Sequence, residues 1–462
     1  MPPRGSGRRG RWVVSAELLL GIDVGTTSSK AAVVGLDGKE LAHGRAPMRW
    51  RQVPTGAEAD PEDFAYAAIA SATQALAQAP PGRVVAVGVA SMAETGALLD
   101  REGRIAVPAI AWHDARGVEQ AERLARDLGT ERLAAHVGVP PTPLASISKY
   151  RWLREHKPDD TARGVRWLSV AEYVVKRLGG EEVAELSLAS RTGMLDVVER
   201  IWWDEALDWA GAPAGLMPEP VPAGTPAGTL NADGALERAY GAVLAVGGHD
   251  HLSAAVGAGA DGAGDVLDSC GTAEAFVRAV APLTRAAIAE VVAAGVNVGC
   301  HVTPGLHALL ASIRSGAALT KVLALLGVDP DERGPLETEA LAVAPDARGL
   351  ELHGVASDDL SLTGIGRDAS PALAYRVALE AVGAAGAVLL ARMASVAGPA
   401  HRLVTTGGWA EGEAARAVKA RHLGPFEHAT AVFAGARGAA LTAARAAGVD
   451  RPALAVGQEG GT

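Results

Sequence analysis

Gly21-Ile22-Asp23-Val24-Gly25-Thr26-Thr27-Ser28-Ser29-Lys30 sits between the apolar run Leu18-Leu19-Leu20 and a second apolar run over residues 31–34. The pattern predicts a strand, a tight polar turn and another strand. Gly25 lets the backbone come close to a ligand, and the turn's amides, with the hydroxyls of Thr26 and Thr27, suit phosphate oxygens. Asp23, at the end of a buried strand, supplies a carboxylate for Mg²⁺, and Lys30 supplies a cation. The G-x-x-x-x-G-K-[ST] spacing of a Walker loop is absent, and a strand follows where that loop needs a helix. The chemistry indicated is nucleotide phosphate handling, on a turn that many proteins use only to reverse the chain.

A chain of 462 residues predicts two domains of about 200 residues each. With 48% hydrophobic and 21% charged residues it reads as globular, and a net charge of −10 argues against a nucleic-acid partner. Cys270 and Cys300 are too few for a disulfide framework and read as reduced thiols of a cytoplasmic protein. Residues 1–17, rich in Arg and Gly, are expected to be a disordered tail. The apolar stretch 18–24 is short for a signal peptide and runs into the phosphate turn. No stretch reaches the roughly 18 uninterrupted apolar residues of a membrane span, so no membrane partner is expected.

Asp37-Gly38 predicts a second tight turn, so three antiparallel strands open the chain. Residues 61–79 have helical spacing, with Phe64, Ala68 and Ile69 on one face, and a buried strand over 84–89 runs into Ser91-Met92-Ala93-Glu94-Thr95-Gly96. Polar residues directly after a buried strand are where α/β proteins place ligand contacts. Amphipathic helices are predicted over 117–128 and 147–155, and the Pro/Gly-rich stretch 211–228 reads as a connector at a domain edge. At 264–273 the opening theme returns as strand, Gly271-Thr272 turn and strand, which suggests internal duplication. Helices follow over 313–326 and 371–396, then Leu403-Val404-Thr405-Thr406-Gly407-Gly408-Trp409 as strand and turn. A final helix over 437–447 begins just after Gly435, its N-terminal amides suited to an anion.

Together these segments resemble the FGGY carbohydrate kinases, the family that includes glycerol kinase and xylulokinase, over about residues 18–448. The first phosphate signature is Gly21 through Lys30. Ala245-Val246-Gly247-Gly248-His249-Asp250-His251 matches the stretch carrying the catalytic aspartate, Gly271-Thr272 the second phosphate signature, and Thr406-Gly407-Gly408-Trp409-Ala410 the adenosine signature. Lys149-Tyr150-Arg151-Trp152-Leu153 and Ala189-Ser190-Arg191-Thr192 match weaker structural signatures. The resemblance implies an α/β protein of two actin-like, ribonuclease H-like domains flanking a cleft for MgATP and a sugar, divided at 18–245 and 246–462. It implies Asp250 as catalytic base and Asp23 as the Mg²⁺ residue. Gly25, Thr26, Thr27, Lys30, Gly271 and Thr272 would meet the phosphates, and Gly407, Gly408 and Gly412 the adenosine. A homodimer is what the family suggests.

The sugar pocket is where the chain is individual. Glu94 stands where glycerol-kinase-like relatives place a substrate-binding Glu, but the Arg that precedes it there is Ala93 here, and the Gln-Met-His of xylulokinases is absent. Trp112 and Asp114, in a loop with His113 and Arg116, are expected to face substrate, as is His251 after the base. Residues 349–366 lack the Gly-Glu-Arg loop common in relatives. The expected function is ATP-dependent phosphorylation of a sugar or polyol hydroxyl. The alternative is a catalytically silent, sugar- or nucleotide-responsive regulator of the same fold; an actin- or chaperone-like ATPase is a third reading.

Overall fold

In the computed structural model, Leu18, Leu19, Leu20, Ile22 and Val24 are all buried, so β1 (Glu17–Val24) is covered on both faces and stands inside a sheet. The residues described are 16–450 except 232–235, Thr272, 345–348, Ala356 and Asp358. Thr272, an expected phosphate ligand, therefore lies outside the described residues, as does most of the expected tail. Ala16 and Glu17 are structured, the carbonyl of Ala16 accepting from the Arg83 amide.

The opening turn leads into β2 (Ser28–Gly35), and Asp37-Gly38 leads into β3 (Glu40–Pro47), the three antiparallel strands predicted. Asp60 caps α1 (Pro61–Gln78), accepting from the Glu62 amide, and Pro61 takes the first helical position. β4 (Arg83–Ser91) is parallel to β1. The helix expected over 117–128 starts at Val118 but passes into a π-helical turn over Ala125–Gly129. Further on come α2 (Ser146–His156), α3 (Val170–Arg177) and α4 (Leu186–Ala189).

The Pro/Gly-rich stretch 211–228 is not a domain edge. It ends in β5 (Pro226–Thr229), the edge strand paired antiparallel to β6 (Val243–His249), and β6 is parallel to β4. The first sheet thus runs β5-β6-β4-β1-β2-β3. A division at 245/246 falls inside β6, whose hydrogen bonds keep it in this sheet, and α5 (Asp250–Ala258) follows without a linker.

The second sheet repeats the plan. β7 (Asp265–Cys270), β8 (Glu274–Val280), β9 (Asn297–Cys300) and β10 (His307–Ile313) precede α6 (Ser315–Leu326), α7 (Gly334–Ala342) and α8 (Pro371–Ala397). β11 (Arg402–Thr406), α9 (Glu413–Leu423), β12 (Glu427–His428) and α10 (Ala434–Ala444) complete it. Its order is β9-β10-β8-β7-β11-β12. In each sheet an antiparallel triplet, β3-β2-β1 or β10-β8-β7, continues into parallel strands, so the duplication suggested by the two turns is one of topology.

By length and composition α8 is apolar enough to cross a membrane. Its Tyr375, Ala378, Leu379 and Val382 instead join a core with Leu319 and Leu323 of α6, Leu336 of α7 and Val418 of α9. The region lacking the Gly-Glu-Arg loop forms a small hairpin, Glu351–His353 with Ser361–Thr363, near which Leu350 packs on Leu373 and Val377.

The last helix returns to the first sheet. α10 begins at Ala434, three residues before the expected start, and lies on β1, β4 and β6 and against α5. A methyl group added at Gly21 or Gly88 would strike the carbonyls of Ala436 or Ala439; at Gly438 or Gly257 it would strike those of Ser253 or Ala434. The Ser253 hydroxyl donates to the Gly435 carbonyl at 2.9 Å, and Glu40 of β3 accepts from the Val432 and Phe433 amides just ahead of the helix. The anion suited to that end is thus the protein's own Glu40. One apolar cluster runs from Leu19 and Val34 through Val256 and Ala440 to Leu267, Val277 and Val404, joining both sheets through this helix pair.

Gly438→Ala is expected to lower stability by about 1–3 kcal/mol through overpacking. Gly334→Ala, where nothing lies within 4 Å of an added methyl, should stay within about 0.5 kcal/mol of wild type. Equal thermal shifts for the two variants would contradict the close-packed contact.

Candidate active site

β1 and β6 both end at the same rim of the first sheet; Asp23 is the penultimate residue of β1, and Asp250 follows β6 directly. Among the described residues Asp23 Oδ1 is buried with no hydrogen-bond partner, and Gly435 closes over the carboxylate so tightly that an added methyl would collide with Oδ2. Burial, aided by the charge of Asp250 and opposed by Lys30, raises the Asp23 carboxyl to about 7. Lys30 stands directly opposite Asp23 in the strand register, its ammonium 5.7 Å from the centre of the Phe433 ring. The structure therefore places Lys30 as counter-charge to the acids.

Asp250 is the first residue of α5, and the peptide ahead of it is fixed from behind. Gly248, at φ 98°, takes a left-handed turn in which a methyl group would meet Val302 and, at 2.7 Å, Ser187 Oγ. The His249 amide donates to Ser187 Oγ at 2.9 Å, and that hydroxyl donates to Glu185 at 2.6 Å. Glu185 also accepts from the Ser187 and Leu188 amides, and its own amide donates to Glu172 of α3 at 2.8 Å. Asp250 accepts from the His251 amide at 2.7 Å and lies 3.2 Å from His249 Nε2. Burial raises its carboxyl pKa and Glu94 adds to the rise, while His251 and Lys30 oppose it. Burial, with His251 and Arg191 adding, holds the His249 imidazole well below its usual pKa and hence neutral. The His251 ring stands edge-on to it at 5.5 Å.

At the first turn the Gly25 amide donates to the Ser28 carbonyl at 3.2 Å. Trp50 Nε1 donates to the Thr26 carbonyl at 2.7 Å and Trp112 Nε1 to Thr26 Oγ1 at 2.8 Å, so two indoles immobilise Thr26 while Thr27 is exposed. Trp112, expected in the sugar pocket, thereby ties that loop to the first glycine turn. At the second turn the Gly271 amide donates to the Ala273 carbonyl at 3.1 Å. Gly316, at the start of α6, is pressed against the Gly271 carbonyl, and Gly407, at φ 96°, against the Cys270 carbonyl. Gly408 is open, its carbonyl accepting from Arg333 at 2.6 Å. Gly412 is different: the Glu337 carboxylate fills the space beside it and accepts from the Ala414 and Ala415 amides, so that face is closed to adenine.

Asp114 also departs from expectation. Its side chain is 0% exposed and accepts from the Ala57 amide at 2.8 Å and from Arg116 Nη2 at 2.7 Å, Arg116 in turn meeting Glu58 at 2.6 Å. It is an internal ion pair that shapes the loop and has no acceptor left for substrate. Glu94, in contrast, adopts φ 61°, a strained conformation outside glycine, and its Oε1 accepts from Arg191 Nε and Nη2 at 2.7 and 2.6 Å. Arg191 was legible only as part of a structural segment; the signal was Ala93, which leaves a buried carboxylate without a neighbouring cation. Lys149 was likewise legible only as part of a structural segment. Burial lowers its ammonium to about 8 against the opposing pull of Glu94 and Asp114, and it donates to the carbonyls of Trp112 and Leu144 at 2.8 and 2.7 Å.

The sequence model described as the FGGY family of carbohydrate kinases, N-terminal domain, matches residues 18–257. The chain belongs to this family. A xylulose kinase of Streptomyces rubiginosus is 30% identical over 355 residues, 74% of this chain and 71% of that protein. A gluconokinase of Bacillus subtilis (strain 168) is 29% identical over 206 residues, 44% of this chain and only 40% of its relative. The solved structure of a xylulose kinase from Rhodospirillum rubrum superposes with a TM-score of 0.83 over 92% of this chain and 89% of that one, at 24% identity, a likeness of fold. The two sheets of this FGGY protein are accordingly the paired actin-like, ribonuclease H-like domains expected.

Asp23 keeps its proton to about pH 7 when folded against 3.8 for an ordinary Asp. Between those values only the folded state is protonated, so its contribution to stability falls as pH rises through the window. Asp23→Asn should therefore melt above wild type at pH 8 in EDTA and show no such gain near pH 4. A gap independent of pH would contradict the burial argument.

Proposed function

We propose that this FGGY kinase transfers the γ-phosphoryl group of ATP to a hydroxyl of a sugar or polyol, with Asp250 as the base. The observation that carries the reading is the pair of raised carboxylates, Asp23 and Asp250, at the ends of two strands that flank β4, beside a Gly-Thr turn. An alcohol attacks phosphorus well only when its proton has a positioned acceptor, and a carboxylate raised above the ordinary range is a better one. Asp250 takes that proton as the new O–P bond forms, and the bond from the γ-phosphorus to the ADP oxygen breaks.

The remaining residues bind and orient. Gly25 and Gly271, whose own amides close their turns, let the phosphates approach the backbone, Thr26 and Thr27 offer the turn's polar groups, joined by Thr272, and Gly407 and Gly408 admit adenosine. Asp23 Oδ1, a buried acceptor with no donor among the described residues, fits Mg²⁺, which when bound supplies positive charge to the phosphate oxygens. Glu94, held by Arg191, keeps Oε2 for substrate hydroxyls, and Trp112 walls the pocket. Closure of the two domains excludes water, a competing acceptor. Relatives named for xylulose, gluconate, glycerol and L-fuculose differ in acceptor, so the proposal stops at a sugar or polyol.

The test is Mg²⁺-dependent ADP release by purified protein against polyols, ketopentoses, ketohexoses and aldonates. One acceptor class should stimulate wild type, and Asp250→Asn should lower the stimulated rate by about 10²–10⁴-fold with ATP binding retained. Undiminished turnover in Asp250→Asn removes the base assignment. Silence across the panel with ATP still bound turns the reading toward a regulator.

A further inference from the structure

Beneath the second glycine turn lies a buried charged cluster that proton abstraction and substrate binding leave unused. Asp268 of β7 and Glu274 of β8 stand on the two arms of the hairpin whose tip is Gly271, Glu274 opposite Cys270 in the register. Lys419 comes to them from α9. Its ammonium donates to Asp268 Oδ2 at 2.7 Å and to Glu274 Oε1, with all three side chains buried. The Cys270 thiol donates to Asp268 Oδ1 at 3.3 Å, and Ser315, the first residue of α6, hydrogen-bonds Glu274. The ligand atoms of Asp268, Cys270 and Glu274 lie within 4.8 Å of one another, a grouping that otherwise suits a metal cation. Here the chain provides the cation itself.

Burying two carboxylates and an ammonium is a poor way to gain stability, since apolar side chains of similar volume commonly hold strands at least as well. What such a cluster offers is direction. One ammonium bonded to both arms sets the hairpin's position relative to α9. That helix begins a few residues after Gly407-Gly408, and Gly407 is already pressed against the Cys270 carbonyl. We infer that Lys419 is a positioning residue for the nucleotide phosphates: by clamping Asp268 and Glu274 to α9 it holds the Gly271 tip at a fixed separation from the Gly407-Gly408 turn. The inference rests on the proposed phosphate role of Gly271 and adenosine role of Gly407-Gly408.

Two probes separate the halves of the nucleotide, MgADP and adenosine, titrated calorimetrically into the full chain. Wild type should bind MgADP the more tightly. Lys419→Met should weaken MgADP by about tenfold or more while adenosine stays within about twofold. Because that variant strands two buried acids, the triple variant Lys419→Met, Asp268→Asn, Glu274→Gln, with no charge left in the cluster, is measured beside it, and a cooperative thermal melt establishes its fold. It should show the same selective loss. A folded triple variant with the wild-type ratio of the two affinities overturns the inference, as does equal weakening of both probes. If wild type itself binds adenosine as tightly as MgADP, the phosphate reading of the Gly271 turn fails first, and the role of Lys419 with it.

Discussion

Everything in this molecule depends on how closely one helix can lie on a sheet. α10 rests on strands whose contact positions are glycine, Gly21 on β1, Gly88 on β4 and Gly247 on β6, and on α5 through Gly257 and Gly438. Glycine costs conformational entropy on folding, yet no other residue permits backbone to meet backbone at these points. The result is that the end of the described chain closes over its beginning. Gly435 seals the Asp23 carboxylate, and the α5–α10 pair carries a single apolar core from one sheet to the other.

Burial sets the electrostatics of the acids throughout the fold. Asp23, Asp250, Glu172, Glu185 and Glu274 all lie where burial raises their carboxyl pKa values. The three that serve as scaffold receive donors: Glu172 and Glu185 from amides and hydroxyls, Glu274 from Lys419. Among the described residues Asp23 has an oxygen with none, and Asp250 accepts from the His251 amide and lies 3.2 Å from the neutral His249 Nε2. Acceptor capacity left open at the rim of a sheet is what a cation and a substrate proton require. Raised pKa values elsewhere in the fold thus mark architecture, and the unfilled acceptors mark the proposed site.

Much of this was legible in the sequence because it is local. Asp23, the Gly25–Thr27 turn, Gly271, Gly407 and Asp250 lie in strand-turn segments whose spacing survives translation into three dimensions. Arg191, Lys149 and the Glu172–Glu185–Ser187 relay were not, since each acts across space on a residue far away in the chain. Asp114 was misassigned for a related reason: an Asp-x-Arg loop can face substrate or pair with itself, and only the Ala57 amide and Glu58 decide between them. Gly412 likewise awaited Glu337. The division at 245/246 missed because strand β6 and helix α10 return to a sheet begun long before, a connection that local patterning does not encode.

On the proposed reading, the two glycine turns and the Asp23–Asp250 rim form one phosphoryl-transfer site. A crystal structure with Mg²⁺ and a non-hydrolysable ATP analogue tests it most directly. The phosphate chain should lie between Thr27 and Gly271, with the metal on the Asp23 side and the terminal phosphate turned toward Asp250. A nucleotide bound away from both turns, or a metal held remote from Asp23, would contradict it.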